Sequence, residues 1–69
     1  MKVNFGEDRI ANTETDELLR EFVGGSGSIV RVYKSSTGRF YTHTVPNSSF
    51  SQPSIGFIDQ WRAEKMIRS

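Results

Sequence analysis

Ser28-Ile29-Val30-Arg31-Val32-Tyr33-Lys34, then Ser35-Ser36-Thr37-Gly38, then Arg39-Phe40-Tyr41-Thr42-His43-Thr44-Val45 is the stretch around which the rest of the chain must pack. Two runs rich in β-branched and aromatic residues flank a short polar segment that ends in glycine, a strong local hairpin signal. A type I turn over Ser35-Ser36-Thr37 with Gly38 in the left-handed region suits that spacing. The register then pairs Lys34 with Phe40, Tyr33 with Tyr41, Val32 with Thr42 and Arg31 with His43. One face carries Val30, Val32, Phe40, Thr42 and Thr44. The other carries Arg31, Tyr33, Arg39, Tyr41 and His43, with Ile29 and Val45 at its base. A two-residue turn at Ser36-Thr37 would shift the pairing by one and mix the faces, so the cleaner segregation is preferred. Val30, Val32 and Phe40 are expected to form the core side. The basic and aromatic side chains are expected on an outer side, where ordinary cross-strand pairing is the plainer account of the tyrosines.

The flanking segments are read as one strand and two helices. Val3 and Phe5 alternate with Lys2 and Asn4, which gives a candidate strand over residues 2–5. Gly6-Glu7-Asp8 is a turn signal. Asn12 or Thr13 has the chemistry of a helix N-cap, and Glu14, Asp16 and Glu17 would sit at the positive end of the helix dipole. Leu18, Leu19, Phe22 and Val23 fall on one helical stripe, so a helix is expected over residues 14–23. Gly24-Gly25-Ser26-Gly27-Ser28 is read first as its cap and a flexible connector. An engineered glycine-serine joint and an anion-binding cradle are the other readings; the cradle matches neither phosphate-loop spacing nor the usual strand-to-helix order.

Pro46 stops the second hairpin strand. Pro46 to Pro53 is an irregular loop in which Phe50 is expected to anchor onto the core. A second helix is expected over residues 54–67, capped by Ser51 or Ser54. Phe57, Ile58, Trp61, Met66 and Ile67 would form its apolar side, with Trp61 as the anchor against the hairpin. The fold class is therefore α+β: a single small domain with an antiparallel sheet packed against two helices.

Sixty-nine residues allow one domain, and a chain this short buries only about 60% of its unfolded surface. There is no cysteine, so no disulfide framework or thiolate metal site is available. One histidine cannot hold a metal alone, and no apolar run approaches the ~18 residues of a membrane span. These features lead to the expectation of a cytoplasmic protein without metal or cofactor. Net charge is +1, but its distribution is uneven. Residues 1–27 hold three Lys/Arg against six Asp/Glu, a net of −3; residues 28–69 hold six against two, a net of +4. That asymmetry hints at an interaction surface on the basic half, or at pairing between the halves.

Catalytic chemistry is sparse. His43 is the one general base near neutral pH, and no spacing places an orienting acid beside a serine nucleophile. An enzyme is not expected. The leading expectation is a regulator or inhibitor that binds a protein partner through the hairpin face or by adding a strand. The binding residues would be Arg31, Tyr33, Lys34, Arg39, Tyr41 and His43, with Arg62, Lys65 and Arg68 as a secondary contact. The alternative is nucleic-acid binding by the same tyrosines and cations. The strand–Ser36-Thr37-Gly38-Arg39–strand pattern with a following helix faintly resembles the arm-binding domains of tyrosine-type integrases over about a quarter of the chain. It lacks their dense lysine content. A homodimer through the outer hairpin face is a third expectation, since it would enlarge a small core. Short chains without cysteine or motifs are also common among viral and mobile-element accessory proteins, an expectation of size class alone.

Overall fold

In the computed structural model, which describes residues 1–68, the hairpin forms in the expected register. Strands β4 (Ile29–Lys34) and β5 (Phe40–Val45) pair Tyr33 with Tyr41, Val32 with Thr42 and Arg31 with His43. Ser35 N–H donates to the Arg39 carbonyl at 2.7 Å and Gly38 N–H to the Ser35 carbonyl at 3.0 Å. Gly38 has φ 85°, the left-handed conformation that glycine adopts without strain.

The expected first helix is instead strand β3 (Glu17–Val23), paired antiparallel with β4. Its apolar residues have helical spacing, yet six of its seven residues pair with an adjacent hairpin strand, whereas a helix this short is marginal in isolation. A bulge between Leu18 and Arg20 absorbs Leu19. Leu18 is 49% exposed and Val23 69%. The cap-like residues make a turn. Asn12 Oδ1 accepts from Glu14 N–H at 3.0 Å, and the Asn12 carbonyl accepts from Asp16 N–H at 2.8 Å. An Asx side chain accepting from the main chain two residues on serves a turn as well as a helix start, which is why the signal misleads.

Gly24 to Ser28 is neither a helix cap nor a flexible connector. Gly24 N–H donates to the Ser28 carbonyl at 2.7 Å, Gly27 N–H donates to the Gly24 carbonyl at 3.0 Å, and Gly27 has φ 86°. That is the bonding of Ser35 to Arg39 repeated, so β3-β4-β5 is a meander built with the same five-residue turn twice.

The expected second helix is also divided. Residues 54–58 form β6 (Ser54–Ile58), which pairs with β5, and only Gln60–Arg68 is helical, as α1. Gly56 disfavours a helix, and the β-branched Ile55 and Ile58 favour strand. Asp59 starts the helix, its carbonyl accepting from Ala63 N–H at 3.0 Å. The sheet order is β3-β4-β5-β6. The N-terminal strand is present as β1 (Lys2–Asn4), but it pairs with β2 (Ile10–Asn12) in a separate two-stranded ribbon. The molecule is thus a mostly-sheet α+β protein with a single helix among the described residues.

Both faces of the large sheet are covered. Helix α1 lies over β4 and β5, and Val32 and Ala63 are fully buried. On the opposite face the ribbon brings Ala11 against Tyr33 and Tyr41, and Phe5 meets Phe57 edge-on at 5.8 Å. Arg20 ties the edge strand to the helix end by donating to the carbonyls of Met66 and Ile67 at 3.0 and 3.2 Å.

Candidate functional site

The face of Arg31, Tyr33, Tyr41 and His43 is one face, as register requires, but it is an interior one. Tyr33 and Tyr41 stack with ring centres 5.2 Å apart and planes 11° from parallel. Tyr41 is fully buried, and its hydroxyl donates to Asp16 Oδ2 at 2.6 Å. The same oxygen accepts from Asn12 N–H at 2.8 Å. Burial, then the bond to Asp16, pushes the Tyr41 hydroxyl pKa well up. His43 is buried with both ring nitrogens enclosed and without a hydrogen-bond partner. Burial, reinforced by the Arg31 charge, holds its pKa below the usual imidazole value.

The hairpin cations are largely committed inside the chain. The Arg31 guanidinium donates to Glu21 on β3, and Arg39 Nε donates to Asp8 Oδ2 at 2.8 Å. The hydrogen bond from Arg39, with its charge behind it, draws the Asp8 carboxyl below its ordinary pKa. Thr37 Oγ1 donates to the Asp8 carbonyl, so the ribbon turn is tied to the hairpin turn at two points. These contacts join the acidic N-terminal part to the basic part, consistent with pairing between the halves. Of the six hairpin residues expected to bind a partner, Tyr33, Tyr41 and His43 are buried, Arg31 and Arg39 are ion-paired, and Lys34 is exposed. What sequence could not show is where the ribbon packs: Ala11 is a small residue in a three-residue strand, with no pattern that assigns it to the tyrosines.

The secondary residues fare differently. Trp61 is 62% exposed and is not the core anchor; Ala63 holds that place. At 100° per residue, Trp61, Lys65 and Arg68 fall on one line of α1 and Arg62 lies beside it. All four are exposed, whereas Met66 and Ile67 are half-buried on the opposite side. The Arg62 guanidinium lies 5.7 Å from the centre of the Trp61 ring. Among the described residues, none of Arg62, Lys65 and Arg68 forms an ion pair. The last-turn position of Lys65 and Arg68 suits the negative end of the helix dipole, but that dipole does not ask for tryptophan in solvent. Phe50 is 97% exposed and anchors nothing.

Shallow clefts run along β6. One of about 180 Å³ is lined by Arg9, Arg39, Phe57, Ile58 and Asp59. Among the described residues no three His, Cys, Asp or Glu are grouped to hold a metal ion, and no helix is long and apolar enough to cross a membrane. No protein-family model, curated protein or solved structure matches the chain.

Proposed function

We propose that this chain is a small non-catalytic binding protein, a regulator or inhibitor in a cytoplasmic setting, that docks on an acidic surface of a protein partner. The docking surface is the outer stripe of α1: Trp61, Arg62, Lys65 and Arg68. One observation carries the proposal: the largest side chain of the protein stands 62% exposed among three cations that form no ion pair among the described residues. Tryptophan and arginine are the side chains most often found to dominate interfaces. The cation over the ring holds both in a preset geometry at modest energetic cost.

A photo-crosslinking side chain at position 64, beside the stripe, tests this in extract of the native host. Capture of a defined protein is expected, and it should be lost in Trp61→Ala and in Arg62→Glu with Arg68→Glu. Capture that both variants leave intact sinks the proposal. Nucleic acid is the second reading, favoured by the availability of Trp61 for stacking on a base. Three phosphate contacts would give a salt dependence with a slope of about −3 on a logarithmic plot for duplex DNA. An oligonucleotide that quenches Trp61 emission with that slope would replace the protein-partner reading. The buried tyrosines offer no second stacking platform, which places this reading behind the first.

A further inference from the structure

The two edges of the four-stranded sheet are built in opposite ways. Edge strand β3 carries Glu17, Arg20 and Glu21 and a bulge, the devices by which sheets discourage another strand from pairing. Edge strand β6 is Ser54-Ile55-Gly56-Phe57-Ile58. It has no charge, no proline within it, no bulge in its register with β5, and an exposed glycine at its centre.

The alternation of ladder bonds fixes which main-chain groups of β6 point outward. Ser35 N–H bonds the Arg39 carbonyl, so Ser35 and Arg39 are a hydrogen-bonded pair. Alternation makes Tyr33 with Tyr41 and Arg31 with His43 bonded pairs too. Phe40, Thr42 and Thr44 therefore turn their main-chain groups toward β6, where they meet Ile58, Gly56 and Ser54. Ile55 and Phe57 are left with N–H and C=O groups directed away from the sheet.

We propose that the β6 edge is a self-association site, at which a second copy of this chain pairs antiparallel about a dyad through Gly56. The register is self-complementary. Ile55 of one copy faces Phe57 of the other as a hydrogen-bonded pair, the dyad repeats it, and Gly56 meets its own counterpart as the non-bonded pair on the axis. Every outward group of Ile55 and Phe57 gains a partner. The side chains agree with this, because Ile55 and Phe57 lie on the same face and meet as apolar cross-strand pairs. Phe5, 53% exposed and stacked edge-on to Phe57, lines the adjoining cleft of about 280 Å³ and extends that seam. Opposite positions just beyond the strand place Asp59 against Pro53, so no like charges meet. Glycine on the axis leaves room for the two backbones to approach, and the sheet becomes continuous across eight strands. The docking stripe of α1 is not used, so the association is independent of the proposal for partner binding.

Gly56 supplies the test. A Cβ built there meets nothing within 4 Å, so a single chain accommodates a side chain, whereas in the dimer two like charges would face each other on the axis. Sedimentation equilibrium of the wild type at high micromolar concentration is expected to give twice the 7.8 kDa chain mass. Gly56→Glu and Gly56→Lys should each weaken the dimer by at least about tenfold while keeping the circular dichroism spectrum and melting temperature of the monomer. An equimolar mixture of the two variants should recover the doubled mass. In the wild type, amide exchange at Ile55 and Phe57 should slow as concentration rises. A wild type that stays monomeric with both amides exchanging freely overturns the proposal. So does a dimer that neither Gly56 variant weakens.

Discussion

At the scale of single residues, the interior face is held by side chains that sequence alone presents as ligands-in-waiting. His43 is the sharpest case. Its ring is buried with both nitrogens unpartnered, flanked across the strand by Arg31, so the folded state holds the neutral imidazole. The folded pKa lies below the unfolded one, near 6.5. Acidification then protonates the unfolded chain first. The contribution of neutral His43 is fully present above pH ~6.5 and is lost as pH falls toward the folded value. Urea midpoints measured from pH 7.5 down to 5 should fall for the wild type, and His43→Leu should flatten that fall. A wild-type midpoint that is level over this window would contradict the burial of an unpaired imidazole. Tyr41 gives a second measure. Removing its hydroxyl in Tyr41→Phe deletes a 2.6 Å bond to a carboxylate and should cost about 1–2 kcal/mol. Part of that loss is recovered because Asp16 is only half-buried and still accepts from Asn12 N–H. Denaturation of Tyr41→Phe, Asp16→Asn and the double variant would isolate the pair.

At the scale of elements, the two matched turns decide the meander, and their glycines can be told apart by experiment. Gly38 has φ 85° and open space around a would-be Cβ, so Gly38→Ala should cost only the backbone strain of about 1–2 kcal/mol. Gly27 has φ 86°, and its Cβ would come to 2.8 Å from Asn47 Nδ2. Gly27→Ala should therefore cost as much plus the displacement of the Asn47 side chain, and Gly27→Ala with Asn47→Ala should return to the Gly38→Ala level in chemical denaturation. The central hairpin was legible down to its register because turn chemistry and alternation agree there. The matching turn at Gly24 to Ser28 was equally available in the repeated spacing from Gly27 to Gly38, but the helical periodicity of Leu18, Leu19, Phe22 and Val23 made Gly24 look like a helix end. In β3 that periodicity arises because a bulge at Leu19 breaks the two-residue alternation. A bulge is a tertiary fact with no local signature here. The second misreading has the same root. Phe57 and Ile58 belong to a strand and Trp61 to a helix, yet their spacing across Asp59 imitates one continuous apolar stripe. Of the candidate site, the cations of α1 were legible from their spacing and the hairpin cluster from its register, but the burial of that cluster depends on a ribbon that only the folded chain brings over it.

At the scale of the molecule, a single sheet is covered thinly on both sides, by a two-stranded ribbon and a nine-residue helix. The fully buried positions of these layers are alanines: Ala11 under the ribbon and Ala63 under the helix. Small residues at both contacts let each cover approach the sheet closely, which is how so short a chain excludes water from Tyr41 and Val32 without a large core. Stability should therefore concentrate at those contacts and be nearly absent from the long loop between β5 and β6. Ala11→Leu inserts three carbons against the stacked tyrosines and should cost about 1–3 kcal/mol by overpacking. Phe50→Ser, at a side chain 97% exposed, should change stability by no more than about 0.5 kcal/mol. The two variants also separate the layers by their pH dependence. The N-terminal ammonium that leads into the ribbon acts on His43, so Ala11→Leu should lose part of the acid sensitivity of the wild type, while Phe50→Ser keeps all of it. Urea denaturation of both at pH 7.5 and pH 5 measures the two effects together. Equal losses in the two variants would mean that the ribbon is not the cover on which the tyrosine face depends.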